Sequence, residues 1–502
     1  MSTPQSPDWQ TLSVDVNLAT DSFINGEPYS SGSNALLEHV DPVSKKNDYS
    51  FHNSGAKEVE VAVSAARDCY ENHWSNTGPA ARKKMLGELA NLIDANADSI
   101  GIADCLDMGK PISAANQEAH IAAGFIRYYA EMIDKVYSGH SVPTGQGALE
   151  LQVMRPRGVV GAITPWNFPV INVALKIGPA LAAGNTVVIK PSELSSRSAI
   201  LVAKLAIEAG LPAGAVNVIT GDGVTGDLLA RHTEVDMLTF TGSTATGKLL
   251  LSAIGQSSIK PILLECGGKS PEIIFPDAAE GNLDAIAQTV VRGAFWNQGQ
   301  VCVARSRLLI HSSIYAELIE KIHAVASSMS VGNPLDVDCM FGPLASTRQQ
   351  QVVEDFIESG IEDGANLILD GRNPAGGEEG CYVGPTIFTD VPANARIAQQ
   401  EIFGPVLAIF TFDDDDQALA LANDSEYGLA ATIWTKDIVR ANRLASQIKV
   451  GKVKIVATPA MVEGPMFSHS AEPCGQSGYG VEGGSDGLFS YMRKQSIEFA
   501  MG

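Results

Sequence analysis

The chain has 502 residues, a mass of 52.9 kDa and a formal charge of −22, from 35 basic and 57 acidic side chains. A chain of this length exceeds what one compact core accommodates, so two or three domains are expected. Hydrophobic residues make up 45% and charged residues 18%, which is typical of a globular protein. The acidic balance disfavours nucleic acids and anionic membranes as partners, because both would be repelled.

Cysteine use points to a reducing compartment. No pair has C-x-x-C spacing, and none has metal-ligand spacing to the nine histidines, so neither a disulfide framework nor a metal site is expected. The polar N-terminus lacks the basic and apolar segments of a signal peptide, and we expect a cytoplasmic location. The seven cysteines are Cys69, Cys105, Cys266, Cys302, Cys339, Cys381 and Cys474.

The predicted elements begin with short strands and turns over 1–55, followed by a helical layer over 58–133 and a projecting hairpin over 137–152, broken by Gly139, Pro143, Gly145 and Gly147. The 18 residues from Gly158 to Leu175 carry no charge, and this stretch is long enough for a transmembrane helix, which is one interpretation. Prolines and asparagines within them instead favour a buried strand over 159–164, a turn and a helix.

Regular alternation of strand and helix follows. Strands are predicted at 186–190, 216–220, 237–241 and 262–265, with helices at 195–209, 226–231 and 247–254 between them. A second series of the same kind occupies about 283–450, whereas the tail from Lys452 carries little helix signal. Such repeats predict an α/β protein with doubly wound parallel sheets, covered on both faces.

Cys302 lies in the stretch Phe295–Ala304, between two valines and before Arg305, where a turn can meet an apolar segment. With a usual pKa of about 8.5, a free thiol is only partly ionised at neutral pH, which suffices for attack on a reactive carbonyl but hardly on an amide. The alternative is a structural cysteine buried as an apolar residue.

Two further side chains suit carbonyl chemistry. Glu265 ends a predicted strand and precedes Cys-Gly-Gly, where it can act as a general base of raised pKa, or else form a structural ion pair. Asn167, held in a Pro-Trp-Asn-Phe-Pro turn, offers an amide donor for an oxyanion, or else simply fixes that turn.

Nucleotide-binding patterns are present but individually weak. Gly221 to Gly226 matches G-x-G-x-x-G without the acidic residue expected downstream, and the near P-loop from Gly242 to Lys248 has Leu249 where a Mg²⁺-binding hydroxyl belongs. A helix beginning at Gly242 or Gly247 can still receive a dinucleotide. Lys190 and Glu193 follow a parallel strand, where they reach ribose hydroxyls or form a solvated turn.

Six segments, in order and with similar spacing, resemble the aldehyde dehydrogenase superfamily from about Phe23 to Tyr491. The segments are Pro165–Pro169, Lys190–Glu193, Phe240–Thr244, Leu264–Pro271, Gln298–Cys302 and Glu401–Val406. The resemblance implies two doubly wound parallel-sheet domains, a variant dinucleotide-binding domain over 1–135 and 154–264 and a catalytic domain over 265–465. It also implies a small β oligomerisation arm over 136–153 and 479–502, in a homodimer or homotetramer.

By this resemblance, the thiol of Cys302 attacks the aldehyde, and Asn167 and the Cys302 amide hold the oxyanion. Hydride then passes to the nicotinamide of NAD, and Glu265 activates the water that releases the acid. Glu193 favours NAD over NADP, which remains an alternative, because a 2′-phosphate would lie against its carboxylate. The residues that match cofactor contacts are Ile163, Thr164, Pro165, Trp166, Lys190, Glu193, Gly223, Gly242, Ser243, Glu401 and Phe403.

The same resemblance predicts a mostly apolar substrate tunnel without an arginine. Its walls are Phe168, Asn172, Leu175, Trp296, Val301 and Val303. The tail departs from the family at Ala471–Gly478, which leaves substrate and assembly open. Leu106–Ser113 and the Lys-Ser-Pro run are similar to bacterial amino-aldehyde dehydrogenases, including those acting on γ-glutamyl-γ-aminobutyraldehyde.

The sequence therefore predicts NAD-dependent oxidation of an aldehyde to a carboxylic acid through a thioester on Cys302. A CoA-acylating aldehyde dehydrogenase is the nearest alternative, and Glu265 argues against it, because that chemistry needs no water-activating carboxylate. A binding or structural protein that has kept the fold without activity is the alternative from another class.

Overall fold

The computed structural model describes residues 7–30, 35–135, 139–142, 148–459 and 467–500. The helices are α1 (Trp9–Asp15), α2 (Ala56–Asn72), α3 (Pro79–Ala95), α4 (Ala97–Met108), α5 (Ile112–Met132), α6 (Pro169–Ala183), α7 (Arg197–Glu208), α8 (Gly223–Arg231), α9 (Thr244–Ser257), α10 (Pro276–Ala279), α11 (Leu283–Phe295), α12 (Ser312–Ser327), α13 (Thr347–Glu362), α14 (Arg396–Gln399), α15 (Asp415–Asn423), α16 (Ile438–Gln447) and α17 (Gly484–Ser490). The strands are β1 (Ser22–Ile24), β2 (Glu27–Tyr29), β3 (Leu36–Val40), β4 (Asn47–His52), β5 (Gly139–Val142), β6 (Ala148–Pro156), β7 (Val159–Ile163), β8 (Thr186–Lys190), β9 (Val216–Val218), β10 (Met237–Thr241), β11 (Ile262–Glu265), β12 (Pro271–Ile274), β13 (Arg307–His311), β14 (Asn366–Leu369), β15 (Thr386–Thr389), β16 (Val406–Phe412), β17 (Tyr427–Gly428), β18 (Ala430–Trp434), β19 (Lys452–Val456), β20 (Cys474–Gly475), β21 (Gly478–Tyr479) and β22 (Met492–Ala500).

The first large sheet has the order β2-β1-β9-β8-β7-β10-β11-β21. Its five central strands, β9, β8, β7, β10 and β11, are parallel. Strand β1 pairs antiparallel with β9, and β21 pairs antiparallel with β11. Every residue of β7 and β8 is buried, as expected for parallel strands covered on both faces. Apolar clusters lie against both faces, and the predicted parallel α/β sheet is confirmed.

The second large sheet has the order β14-β15-β16-β13-β12-β18-β19. All neighbours pair parallel except β14 with β15. Two further apolar clusters cover its faces. The α/β class with two parallel-sheet units is thus confirmed. The loop that carries Cys302 connects α11 to β13 of this second sheet.

A third sheet, small and antiparallel, contains β22, β6 and β5 in that order. Of the predicted projecting hairpin, residues 136–138 and 143–147 lie outside the described residues, and so do Pro143, Gly145 and Gly147. The described part has the expected strands, joined by the nine-residue C-terminal strand β22.

The uncharged stretch from Gly158 to Leu175 forms β7 and the start of α6, so the transmembrane alternative is wrong. Among the helices of the described ranges, none has the length and apolarity needed to cross a bilayer.

Two local expectations need correction. Gly247 lies inside α9, which begins at Thr244, because Ser243 caps the helix by accepting a hydrogen bond from the Thr246 amide (3.2 Å). The tail, in which little helix was expected, contains the short helix α17. Strands β12 and β18 were not predicted either, although they occupy the middle of the second sheet.

The tail returns to the first sheet. Gly478 pairs with Glu265 through β21 and β11, and the Cys266 amide donates to the carbonyl of Ser477 (2.8 Å). Further on, the side-chain amide of Asn185 donates to the carbonyl of Tyr491 (3.0 Å). The last segment of the chain therefore completes the edge of the sheet that carries Glu265.

Candidate active site

The loop that carries Cys302 is held in an unusual backbone conformation. After α11, Asn297 and Gln298 have φ of 49° and 55°, and Gly299 has φ of 69°. A methyl group at Gly299 would lie 2.2 Å from the carbonyl oxygen of Gly404, so only glycine fits there. The buried Gln300 side chain accepts a hydrogen bond from the Ala345 amide (3.0 Å). The loop is thus fixed from both sides, with Cys302 half-buried at its end.

Asn167 lies against this loop. Its side-chain amide donates to the carbonyl of Gln300 (2.9 Å), and the amide of Asn297 donates back to the carbonyl of Asn167 (3.0 Å). Asn167 is buried. An NH₂ group has two hydrogens, and one of them is committed to Gln300, so the second is left for an oxygen bound near Cys302.

Glu265 ends β11, near enough for its charge to act on the thiol of Cys302. Loss of water on burial raises the pKa of Glu265 to about 8, with the charge of Glu482 adding to the rise and that of Lys176 opposing it. Lys176 and Glu482 form an ion pair, with the lysine fully buried. A carboxyl group of this kind takes up a proton readily near neutral pH, as a general base must.

The glycines after Glu265 allow the two loops to approach. A methyl group at Gly268 would lie 2.4 Å from the carbonyl oxygen of Cys302. The Gly268 amide donates to a carboxylate oxygen of Glu401 (3.0 Å). Glu265, Cys302 and Glu401 are therefore brought near one another.

The electrostatic surroundings keep the thiol of Cys302 protonated. Burial, together with the carboxylates of Glu401 and Glu265, raises its pKa to about 12, although hydrogen bonds from the amides of Val303 and Cys302 oppose the rise. Since the thiolate is the nucleophile, the thiol must lose its proton to a base as it attacks. The charge of Glu265 acts on this thiol, so the two groups lie near each other.

The predicted cofactor residues from the first sheet gather at one edge, because parallel strands end at the same side. Ile163, Lys190 and Thr241 end the neighbouring strands β7, β8 and β10, and the residues after them follow at that edge. Thr164 donates its amide to the carbonyl of Lys190 (3.1 Å). A methyl group at Gly242 would lie 2.5 Å from the Phe240 ring, so that close turn requires glycine.

Lys190 is buried, and its ammonium lies 3.4 Å from the half-exposed carboxylate of Glu193. Burial lowers the pKa of Lys190, and the charge of Glu193 opposes that effect. Ser243 and Gly223 lie at the starts of α9 and α8, where backbone amides favour phosphate. A buried cation, an exposed acid and two helix starts fit the ribose and phosphates of a dinucleotide.

The second sheet contributes Glu401 and Phe403. Burial raises the pKa of Glu401 to about 7. Phe403 has φ of 57°, and its ring meets that of Trp166 edge-on at 5.2 Å. The residues predicted from Pro165-Trp166 and from Glu401 to Phe403 are therefore brought together from distant parts of the chain.

Two exposed apolar residues beside this edge were not predicted. Val224 on α8 is 64% exposed and Leu249 on α9 is 70% exposed, and the two helices pack together. Leu249 is also the residue that breaks the P-loop pattern, where a Mg²⁺-binding hydroxyl would belong. Apolar side chains left in water at a dinucleotide site suit the flat face of a base.

Only part of the predicted substrate tunnel forms one wall. Phe168 and Val301 are buried in one apolar cluster, and the Trp296 ring lies 5.1 Å from that of Phe168 while 48% of Trp296 stays exposed. Leu175 packs against the main core of the first sheet instead. Asn172 donates its amide to the carbonyl of Phe168 (2.9 Å) within α6.

Val303, the remaining tunnel residue, is 42% exposed beside the thiol. Sequence reasoning missed Lys176 and Glu482, which set the charge around Glu265. They lie on α6 and in the tail, and no local pattern in the sequence connects them.

Comparison with known proteins shows the family of this chain. A model of the aldehyde dehydrogenase family matches residues 29–497. The NADP/NAD-dependent aldehyde dehydrogenase PuuC of Escherichia coli is 44% identical over 448 residues, which cover 89% of each chain. The crystal structure of a gamma-glutamyl-gamma-aminobutyraldehyde dehydrogenase from Burkholderia cenocepacia is 39% identical, with a TM-score of 0.94 over 99% of each chain.

An indole-3-acetaldehyde dehydrogenase solved with NAD+ has the same TM-score of 0.94, at 37% identity over 98% of this chain and 99% of the other. The predicted resemblance, including that to bacterial amino-aldehyde enzymes, is confirmed. This chain belongs to the aldehyde dehydrogenase family, as an NAD(P)-dependent oxidoreductase acting on aldehydes.

Proposed function

We propose that Cys302, Glu265 and Asn167 carry out the oxidation of an aldehyde to its carboxylic acid. The thiol of Cys302 loses its proton to solvent and adds to the aldehyde carbonyl, giving a thiohemiacetal oxyanion. The free N–H of Asn167 and the Cys302 amide hold that oxygen. The observations that support this proposal are that Asn167 donates to the Cys302 loop and that a methyl group at Gly268, in the turn after Glu265, would lie 2.4 Å from the Cys302 carbonyl oxygen.

The nicotinamide cofactor, when bound, supplies the hydride acceptor. Loss of hydride from the thiohemiacetal leaves a thioester on Cys302, and Glu265 removes a proton from the water that attacks it. The acid leaves and the thiol is regenerated. We assign the cofactor's ribose hydroxyls to Lys190, Glu193 and Glu401 and its base to the surface at Val224 and Leu249. NAD is the preferred cofactor because Glu193 repels a 2′-phosphate.

The test is a burst experiment with two variants. Cys302→Ala should abolish turnover, while Glu265→Gln should release one equivalent of NADH and then stall at the thioester. A steady rate in Glu265→Gln equal to that of the unaltered enzyme would remove Glu265 from the role of base. Addition of CoA separates the acylating alternative, since a rate that depends on CoA would favour it. Failure to bind NAD would favour a non-catalytic role.

For the substrate, we propose an aldehyde that carries an amino or amido group along its chain. The support is the wall of Phe168, Trp296 and Val301, the acidic side chains of Glu472 and Glu482 near Glu265, and the name of the Burkholderia cenocepacia relative. A panel of amino-aldehydes and alkyl aldehydes of matched length, followed by NADH absorbance, tests this. Higher kcat/KM for the alkyl aldehydes would contradict it.

We also propose a homodimer or homotetramer. Among the described strands, β19 and β22 are outer strands of their sheets, with Ile455 39% and Phe499 44% exposed. An open strand edge with apolar side chains is ready to pair with another chain. In this proposal residues 1–135 and 154–264 bind the cofactor, 265–465 carry catalysis, and 136–153 and 479–502 serve assembly. The seven free cysteines support a cytoplasmic location.

A further inference from the structure

A lysine lies fully buried behind the wall of the aldehyde site. Lys110 follows the C-terminal Gly109 of α4, whose φ is 74°, and precedes Pro111 at the start of α5. Its ammonium is ion-paired with Glu118, which is 2% exposed. The same ammonium lies 4.0 Å from the centre of the Phe168 ring.

Stability alone does not account for this arrangement. Removing a lysine and a carboxylate from water costs several kcal/mol per ion, and apolar pairs of similar volume are often as stable or more so. Within the described part of the chain, one carboxylate oxygen of Glu118 has no hydrogen-bond donor, and burial raises the pKa of Glu118 to about 7. The interactions within the pair therefore do not fully offset the free-energy cost of burying it. The contact to Phe168 connects the pair to the candidate active site.

Phe168 connects this cluster to the chemistry. It is the residue after Asn167 and the cap of α6, and its ring lies 5.1 Å from that of Trp296. A second buried group holds the same turn, since the carboxylate of Asp104 accepts a hydrogen bond from the Val170 amide (3.3 Å). Helix α6 and the turn before it are thus held from behind by two polar groups.

From this geometry we infer that Lys110 is a positioning residue, which fixes the Phe168 ring and, through it, the Asn167 amide. A cation against an aromatic face sets the orientation of the ring, and the attraction strengthens when both groups are away from water. Lys110 itself does not contact the thiol or its loop among the described contacts. Its effect reaches the substrate only through Phe168. The inference rests on the proposed roles of Asn167 and Cys302.

The test is a double-mutant cycle on kcat/KM. Lys110→Met should lower kcat/KM for the best aldehyde about tenfold, equivalent to about 1.4 kcal/mol, with the KM for NAD changed less than about twofold. In a Phe168→Leu background the same change should cost less than about twofold, because the contact is already lost. Effects that multiply would mean that Lys110 supports the fold generally and would overturn the inference.

Two further variants separate positioning from folding. Lys110→Met/Glu118→Leu removes both charges, so its Tm should return towards that of the unaltered protein while kcat/KM stays low; recovery of kcat/KM would overturn the inference. Glu118→Gln keeps the shape of the pair and replaces Lys110→Met if that variant does not fold. We expect a loss of about two- to fivefold for Glu118→Gln, again absent in the Phe168→Leu background.

Lys260→Met is the matched control. Lys260 is also buried, but it donates to the carbonyls of Ala230 and His232 (3.0 and 2.5 Å), before the first residue of β11 and at the opposite end from Glu265. Its loss should lower Tm and leave kcat/KM per active site unchanged, with active sites counted from the NADH burst. An unaltered enzyme that oxidises no aldehyde would refute the proposed function, separately from the role of Lys110.

Discussion

The side-chain amide of Asn167 donates a 2.9 Å hydrogen bond to the carbonyl of Gln300, two residues before Cys302. This bond uses one of the two N–H groups of the amide and fixes the plane in which the second lies. The same asparagine therefore orders the loop, and we propose that its second N–H is the oxyanion donor.

Replacing this donor tests its catalytic part. Asn167→Ala should lower kcat by about 10²-fold or more, the usual effect of losing one oxyanion donor. The control is Asn217→Ala. Asn217 is a fully buried asparagine on β9, and its side-chain amide donates to the carbonyl of Gly214 (2.8 Å). It should lower Tm without changing kcat per active site. A loss below about threefold in Asn167→Ala would limit the amide to a structural role.

The rate should depend on pH through Glu265. Because a base must be deprotonated, and burial raises the pKa of Glu265 to about 8, the steady-state rate should rise with pH and reach half its maximum near pH 8. Glu482→Gln should move the midpoint to lower pH, since it removes a negative neighbour, and Lys176→Met should move it to higher pH. A profile that is flat between about pH 6 and 9 would contradict this assignment.

The close packing at Gly268 should be intolerant of a side chain. In Gly268→Ala the added methyl group would lie 2.4 Å from the carbonyl oxygen of Cys302 and 3.3 Å from Leu429, so the nucleophile loop must move. A displacement of about 1 Å in a reacting group costs roughly 10²-fold in kcat/KM. Gly255→Ala is the control, because nothing lies within 4 Å of an added methyl group on α9. It should raise stability by roughly 0.5–1 kcal/mol without altering the rate.

Cofactor choice should respond to Glu193. Glu193→Gln should raise kcat/KM for NADP by about tenfold, because the like charge facing a 2′-phosphate is removed, and should weaken NAD use because a ribose acceptor is lost. Initial rates with both cofactors measure the ratio. The exposed Glu208 at the end of α7 is the control, and Glu208→Gln should leave the ratio unchanged. An unchanged ratio of NADP to NAD rates in Glu193→Gln would mean that other residues determine the cofactor selectivity.

Charges on the open strand edges should weaken assembly. Ile455→Lys with Phe499→Lys places two lysines on β19 and β22, and edge lysines oppose pairing between chains. Sedimentation should then show a smaller species than the unaltered protein, with unchanged circular dichroism. Val14→Lys, at an 84% exposed apolar residue on α1, is the control and should not alter the size. Equal sedimentation of all three proteins would place the contact surface elsewhere.

The sequence predicts most of the first sheet because its strands are short apolar runs, such as Val-Val-Gly-Ala-Ile and Thr-Val-Val-Ile-Lys, each followed by a turn and a helix. It does not predict β12 or β18. Their residues, Pro271–Ile274 and Ala430–Trp434, are short and carry no distinctive period, so hydrogen bonds to strands far along the chain define them.

The site shows the same division. Cys302, Glu265 and Asn167 lie in local patterns that the sequence displays, whereas the partners that tune them come from elsewhere. The ion pair of Lys176 and Glu482 joins residues 306 positions apart, and Lys110 meets Phe168 across two helices. Charge partners of this kind are set by packing, and no pattern within one segment indicates them.

The return of the tail to the first sheet has a consequence for biosynthesis. Because Gly478 pairs with Glu265 and Tyr491 accepts a hydrogen bond from Asn185, a nascent chain that has reached only residue 470 has an unfinished sheet edge beside Glu265. A polypeptide cut short there would contain Cys302 but would lack the strand that borders the base we propose.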